Sequence, residues 1–449
     1  MSRFCRIQFT PRLVFVTGLL LGLAQLCGSS AAQASPDRPD GRGTEKPPVS
    51  VPPLPEGSWR FIVSGDSRNC GDIVMPAIAA QSVQFAPSFY WHLGDLRAIY
   101  KVDEDMAFAA AVNGDFLSCS LYLSRAWPDF IDHQIAAFGN LPVYVGIGNH
   151  EIIPPKDRVQ FRQQFAAWID QPTVHDQRAA DDPASQKGST ATEPPQSYFH
   201  WIQSKVDFIY LDNSSDCFLP AELDWLKLVL EKDASDSDPK HVVNSVVVGM
   251  HEALPDSVAN YHSMGDSKVS EARSSGEKVY DMLVAFRKHK PVYVLSTHSH
   301  FYLEDIFDTP ELRKKGEPLP GWIVGTGGAE RYKLPVPPST KARKDVYGYL
   351  VGTLAAKGTI EFAFQEIQEA DVPPTTRRDY LHLWCIGALL TIPRIRIRAP
   401  EKLRRTARRY LFQTRHRQNA NRGNPTNSRY APRAFSTARS SAWALFIDS

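Results

Sequence analysis

The sequence predicts an α/β fold built on parallel strand–helix–strand units, and three observations point there. Short apolar runs close on glycine and a polar residue: "RFIVSGD" (60–66), "FYWHLGD" (89–95) and "LPVYVGIGNH" (141–150). Helix-like stretches separate them, "GDIVMPAIAAQ" (71–81) and "DEDMAFAAAVNGDFLSCSLYLSRAW" (103–127). The run ends carry a narrow set of residues, Asp, Asn and His. Strands alternating with helices form parallel sheets, and in open sheets of this kind the chemistry gathers beyond the carboxyl ends of the strands.

The 449 residues divide by composition. Arg3, Arg6 and Arg12 precede the apolar "LVFVTGLLLGLAQL" (13–26) and the small-residue "AAQA" (31–34), the layout of a secretory signal peptide over residues 1–34. A secreted or periplasmic protein with no stable membrane span in its mature form is expected. Residues 35–57 are proline-rich and lack apolar periodicity, so they read as a linker. The folded body is expected over 58–370. From residue 371 onward there are 16 Lys and Arg against 4 Asp and Glu, while the preceding 370 residues hold 35 against 45. The basic tail, 371–449, reads as solvated and disordered rather than as a membrane-surface segment. The body's mild acidity gives no reason to expect a nucleic-acid partner, and nothing fixes the oligomeric state.

Within the body, "SYFHWIQSKVDFIYLDNS" (197–214) reads as two strands around a tight turn, and "PAELDWLKLVLEKD" (220–233) as a helix with Pro220 in its first turn. "HVVNSVVVGMHE" (241–252) and "KPVYVLSTHSH" (290–300) are further strands ending in histidine, and "GWIVGTGGAERY" (321–332) and "YGYLVGTLAAKGTIEFAFQEI" (347–367) complete the strand-like set. Residues 172–197 are rich in Pro, Ser, Thr and Asp and are expected to form a mobile surface loop. Cys70, Cys119 and Cys217 lie in the body, where an oxidising compartment permits a disulfide whose pairing the spacing does not choose.

Taken singly, an Asp after Gly is a turn or cap residue and a lone His is structural. Taken together, five strand ends supply Asp66, Asp95, Asn149–His150, His251 and His298–His300. Carboxylate, amide and imidazole donors suit Mn, Fe or Zn. Two ions about 3.5–4 Å apart activate a water and clamp the oxygens of a phosphoryl group during in-line displacement.

This order of motifs, "GD" at Asp66, "GD" at Asp95, "GNHE" at 149–151, His251 and "HSH" at 298–300, resembles the calcineurin-like metallophosphoesterase superfamily. "GTGG" (325–328) is similar to a loop of its purple-acid-phosphatase-like branch. The resemblance covers about residues 60–368. It implies a two-sheet β-sandwich flanked by helices (αββα) and a dinuclear metal centre. One ion would take Asp66, Asp95 and His300; the other would take Asp95 as bridge, Asn149, His251 and His298. His150 matches the acid that protonates the leaving group when a metal-bound hydroxide attacks a phosphomonoester or phosphodiester. The implied partner is a small phosphorylated substrate.

One position departs. Asp-x-His is usual at the first strand, and here the motif is "DSR", with Arg68 in place of the histidine. A guanidinium stays protonated and offers no lone pair to a metal, so the first ion lacks a ligand; Asn69, Asp72, Tyr100 or a water are the candidates for the gap. Arg68 and Arg97 are candidate substrate-binding residues, since an arginine fork grips phosphate oxygens bidentately. The positive charge of Arg68 also makes occupancy by a single ion an expectation to test. The same departure motivates the rival reading, a degenerate phosphoesterase fold that binds phosphate or protein without catalysis. His92 is expected to support a neighbour and His262 to line the mouth of the site; His133, His175 and His200 have no motif context.

Overall fold

The computed structural model describes residues 57–379, apart from 182–194, 236–240, 260, 317, 336–340 and 356–357, together with Leu54. The expected signal peptide, the linker but for Leu54 and Gly57, and the tail beyond residue 379 lie outside the described residues.

Two mixed sheets stack face to face. The strands run β1 (Trp59–Ser64), β2 (Tyr90–His92), β3 (Val143–Val145), β4 (Phe199–Gln203), β5 (Val206–Leu211), β6 (Ser245–Met250), β7 (Val292–Ser296), β8 (Tyr302–Glu304), β9 (Gly321–Val324), β10 (Ala342–Arg343), β11 (Gly348–Leu354) and β12 (Ile360–Glu366). The first sheet has the order β12-β11-β1-β2-β3 and the second β10-β8-β9-β7-β6-β5-β4. Strands β1, β2 and β3 are parallel, as are β5, β6, β7 and β9. The register brings Ser64 level with His92 and His92 level with Val145, so the three polar clusters that follow leave the sheet side by side. In the second sheet Gly249 lies opposite Leu295, and the histidine-bearing ends of β6 and β7 emerge together.

The β-period of two sends alternate residues to opposite faces. Phe61, Trp91 and Tyr144 of the first sheet, with Phe89 just before β2, meet Trp201, Phe208 and Tyr210 of the second. Tyr144 stacks on Trp201 at 3.9 Å, and Phe61 and Phe89 each meet the edge of Phe208 at 5.0 Å. Truncating a ring so placed, Trp201 for instance, costs about 3–5 kcal/mol. On its outer face the second sheet packs Leu211, Val246 and Val248 against Leu226 and Val229 of helix Pro220–Ala234 and Val279 and Leu283 of helix Ser270–Phe286. Helix α1 (Gly71–Ser82) covers the first sheet, where the Tyr90 hydroxyl reaches Met75 Sδ at 3.6 Å. The αββα sandwich that the resemblance implies is therefore the architecture of the chain.

Three local expectations need correction. The stretch 103–127 is not one helix: α2 (Glu104–Val112) stops at Asn113–Gly114, Gly114 has φ 78°, and α3 (Cys119–Asp129) restarts with Ser118 capping Leu121 N. A left-handed glycine ends a helix without a Cβ penalty, and a serine side chain satisfies a free N–H of the next. The expected loop at 172–197 begins as a helix, Pro172–Asp181, with Val174 buried against the body; proline at a first helical position is pre-set for it. The body also runs past residue 370, since Val372 is in the core and Gln81 Nε2 donates to Asp371 Oδ2 at 2.8 Å.

Candidate metal centre

The first-strand loop starts the site. Asp66 has φ 55°, Asp95 φ 60° and His298 φ 62°. Asp and His are among the few non-glycine residues found in that left-handed region, which turns each side chain sharply back across its strand end. Backbone bonds tie the turns together: Asp66 N donates to Gly94 O at 3.0 Å and Ser67 N to Asp95 O at 3.0 Å. The "GTGG" loop crosses from the other sheet, with Gly327 N on Gly65 O at 2.9 Å and Ala329 N on Asp66 O at 2.8 Å. A Cβ at Gly325 would fall 2.6 Å from Asp66 Oδ2, and one at Gly148 would fall 2.4 Å from Asp95 Oδ1. Both glycines are there because the carboxylates need that space.

Glu151 holds the opposite wall. Its carboxylate accepts from Asp95 N (2.9 Å), Leu96 N (3.0 Å) and Gly148 N (2.8 Å), clamping the β2 loop to the β3 loop. The "GNHE" motif contains it, yet sequence reasoning gave it no role, because a single chain does not reveal which N–H groups a carboxylate meets. His92, expected to support a neighbour, accepts from Gly94 N at 3.2 Å through Nδ1 and lies 3.0 Å from Ser67 Oγ through Nε2.

All six expected ligands converge. Asp95 Oδ1 lies 3.2 Å from His251 Nε2, Asn149 Oδ1 3.0 Å from it and His298 Nδ1 3.1 Å from it. His251 Nδ1 faces Leu93 O at 3.1 Å, a carbonyl that only accepts, so Nδ1 carries a proton. In the neutral ring Nε2 is then a lone pair, and Asp95 Oδ1, Asn149 Oδ1 and His298 Nδ1 all lie within 3.2 Å of it. Donor atoms bound at right angles at about 2.1 Å to one ion lie about 3.0 Å apart. These residues fit a metal. Burial lowers the His251 pKa, but Asp95 and Asp66 outweigh it and push it up to about 9, a proton that a bound metal would displace.

Asp66, Asp95 and His300 form the second group. Asp66 Oδ1 lies 3.3 Å from His300 Nε2, and Asp66 Oδ2 accepts from His298 N at 2.7 Å. Burial, with Asp95 adding to it, pushes the Asp66 carboxyl up to about 7. Asp66 Oδ1 and Asp95 Oδ2 accept no hydrogen bond among the described residues. Arg68 stands among these atoms, its Nη2 2.8 Å from His300 Nε2 and its Nε 3.5 Å from Asp95 Oδ2. An arginine N–H directed at the imidazole lone pair does not fit a metal at this position.

His150 is buried beside the cluster. Its Nδ1 donates to Ala98 O at 2.7 Å, and its Nε2 faces Asp95 Oδ2 at 3.5 Å. Burial first and the charge of Arg68 second pull its pKa down to about 3. Tyr100, 44% exposed, lies over it with ring centroids 5.3 Å apart. Two mouth residues complete the wall: Tyr332 stacks on His300 at 3.9 Å, and His262 stacks on Tyr332 at 4.7 Å. His262 was expected there; Tyr332 was not, since a tyrosine in a loop carries no spacing signal.

Arg97 does not face the site. Its side chain is 0% exposed, with Nη1 3.1 Å from Asp105 and 3.9 Å from Asp103 and Nη2 against Asp72 and Asp129. Carboxylates six or more positions away in the chain claim it, so its expected grip on substrate is replaced by a role in holding α1, α2 and α3 together. His133 and His200 likewise lie elsewhere, on Asp129 and on the pair Asp181–Asp207; His175 is exposed, 3.4 Å from Asp170. Cys70 and Cys119 are half-cystines and Cys217 carries a free thiol.

No family model matches the chain, and no curated relative is similar to it in sequence. Among solved structures it is similar to a purple acid phosphatase from seeds of yellow lupin (Lupinus luteus), at 14% identity and a TM-score of 0.47 over 70% of this chain and 52% of that one. It thus spans about half the length of the lupin protein. PhoD matches at 13% identity and a TM-score of 0.41 over 71% and 70% of the two chains. A 5'-nucleotidase from Candida albicans matches at 12% and 0.33 over 79% and 58%.

Proposed function

We propose that this protein is a metal-dependent phosphoesterase of the calcineurin-like kind, acting on a small phosphorylated ester. The observation that carries the reading is the convergence of Asp95 Oδ1, Asn149 Oδ1 and His298 Nδ1 on His251 Nε2, at separations of 3.0–3.2 Å. Those four residues would hold the ion, and their oxygen and nitrogen donors suit Mn, Fe or Zn. A bound ion supplies Lewis acidity toward a phosphoryl oxygen and lowers the pKa of a coordinated water.

The chain's own groups supply the rest. Arg68 presents a fixed guanidinium to the anionic oxygens of the substrate. His150 is oriented by its bond to Ala98 O, leaving Nε2 to carry the proton that the departing alkoxide takes. Burial keeps that ring neutral at rest, and an incoming phosphate's negative charge favours the protonated form. Tyr100, Tyr332 and His262 form the polar–aromatic rim through which substrate enters.

Export to an oxidising compartment, secreted or periplasmic, belongs to the same proposal and is supported by the half-cystines Cys70 and Cys119, since structural disulfides are rare in reducing compartments. Among the described residues no helix is long and apolar enough to cross a membrane. The function is tested with an aryl phosphomonoester and diester in the presence of Mn, Zn or Fe. Release of the aryl alcohol with any of these supports it; metal-loaded protein that turns over neither ester favours the rival, a phosphate-binding module.

A further inference from the structure

We infer that the Arg68 guanidinium takes the place of one of the two cations that the motif order leads one to expect, so that the protein holds a single metal ion, at Asp95, Asn149, His251 and His298. The inference rests on the metal-centre reading above and concerns the other half of the same cluster.

The His300 tautomer decides the matter. Its Nδ1 bonds to Glu330 O, a carbonyl that only accepts, so the proton is on Nδ1 and the lone pair is on Nε2. That lone pair is the atom an ion at Asp66, Asp95 and His300 would need. It faces Arg68 Nη2 at 2.8 Å instead, and a guanidinium has only N–H donors to offer. One lone pair does not serve an N–H and a metal together.

Arg68 is also fixed where it stands. The residue is 5% exposed, its Nη2 lies 3.5 Å from the Tyr332 hydroxyl, and Tyr332 is itself stacked on His300. The three other side chains considered for the missing ligand are engaged elsewhere. Asn69 spends its amide on Glu104 Oε2 (2.6 Å) and on Glu330 N (3.2 Å). Asp72 is bound to Arg97 and to Gln134 Nε2. Tyr100 turns over His150.

Charge points the same way. Asp66 and Asp95 are buried carboxylates, and Asp95 is shared with the other group of ligands. One guanidinium and one divalent ion bring three positive charges to them. Two divalent ions beside Arg68 would bring five, in a buried space where like charges repel strongly. A guanidinium at this place also keeps the positive charge that the absent ion would have offered a phosphate, while giving up a second centre for activating water.

The test is metal counted per chain by elemental analysis after loading with excess Mn(II) and removal of unbound ion, in the wild-type protein and in Arg68→His. We expect one equivalent in the wild type and two in the variant, which regains an imidazole at the Asp-x-His spacing. Two equivalents in the wild type, or one in a folded variant, overturn the inference and leave the phosphoesterase reading standing. No bound metal in the wild type overturns both. Should the variant not fold, electron paramagnetic resonance of the Mn-loaded wild type decides: an isolated-ion spectrum is expected, and a spin-coupled pair contradicts the inference.

Discussion

At the residue scale, the site is built from side chains whose partners fix their protonation. His150 gives its Nδ1 proton to Ala98 O, so the ring reaches toward the cluster only through Nε2. If it protonates the leaving group, His150→Ala should lower turnover of a poor-leaving-group ester by about 10²–10⁴-fold. Bound metal should stay unchanged, because His150 lies beside the ligands without being one. A smaller loss with an activated aryl leaving group, which needs no proton, separates this role from a merely structural one. Loss of metal together with activity would mark His150 as a support of the ligand loops instead. Asp66, Asp95 and His298, all at positive φ, belong to the same economy of shape: local backbone strain persists where surrounding bonds over-determine it.

At the scale of elements, Arg97 is the pin that joins the β2 loop to three helices. It faces Asp72 of α1, Asp103 just before α2, Asp105 within α2 and Asp129 at the end of α3. Burial, with Asp72 adding to it, holds the Asp105 carboxyl well above the usual carboxylate range, so four acids share one guanidinium without all being ionised. Removing the cation strands these groups, and Arg97→Ala should cost about 3–5 kcal/mol in urea unfolding. A change below about 1 kcal/mol would contradict the assignment. The strand ends were legible in the sequence because five of them repeat one chemistry, and "GNHE" and "HSH" place ligands at fixed distances from a strand. The partners of Arg97 were not legible. Asp72 is 25 positions before it and Asp129 32 after, and which acids a buried guanidinium meets is decided by helix packing. The break between α2 and α3 was visible in hindsight at Asn113–Gly114, but the long apolar-alanine run concealed it. Tyr332 and Glu330, which set the Arg68–His300 contact, come from a loop without periodicity.

At the scale of the whole molecule, two stacked sheets align their carboxyl ends so that β1, β2, β3, β6 and β7 bring Asp66, Asp95, Asn149, His251 and His298 to one place. Away from that edge, a second buried network bears on stability. His200 on β4 lies 2.5 Å from Asp181 and 2.7 Å from Asp207, with Lys232 on Asp181 at 2.7 Å. Burial lowers the His200 pKa, but Asp207 and Asp181 outweigh it and push it up to about 10. A histidine raised above its unfolded value of about 6.5 gives stability that is complete below that pH. The contribution is lost as pH rises through the folded value, so the unfolding midpoint should fall between about pH 6.5 and 10. His200→Gln should flatten that slope; an equally steep slope in the variant would remove His200 as its cause.

The central claim is that hydrolysis depends on an ion held by Asp95, Asn149, His251 and His298. It is tested most directly by stripping the protein with chelator and titrating Mn(II) back while bound metal and aryl phosphate hydrolysis are followed in the same samples. Stripping should abolish turnover, and activity should return in proportion to bound metal, reaching its plateau as the site fills. Stripped protein that keeps its activity, or refilled protein that hydrolyses neither monoester nor diester, would contradict it.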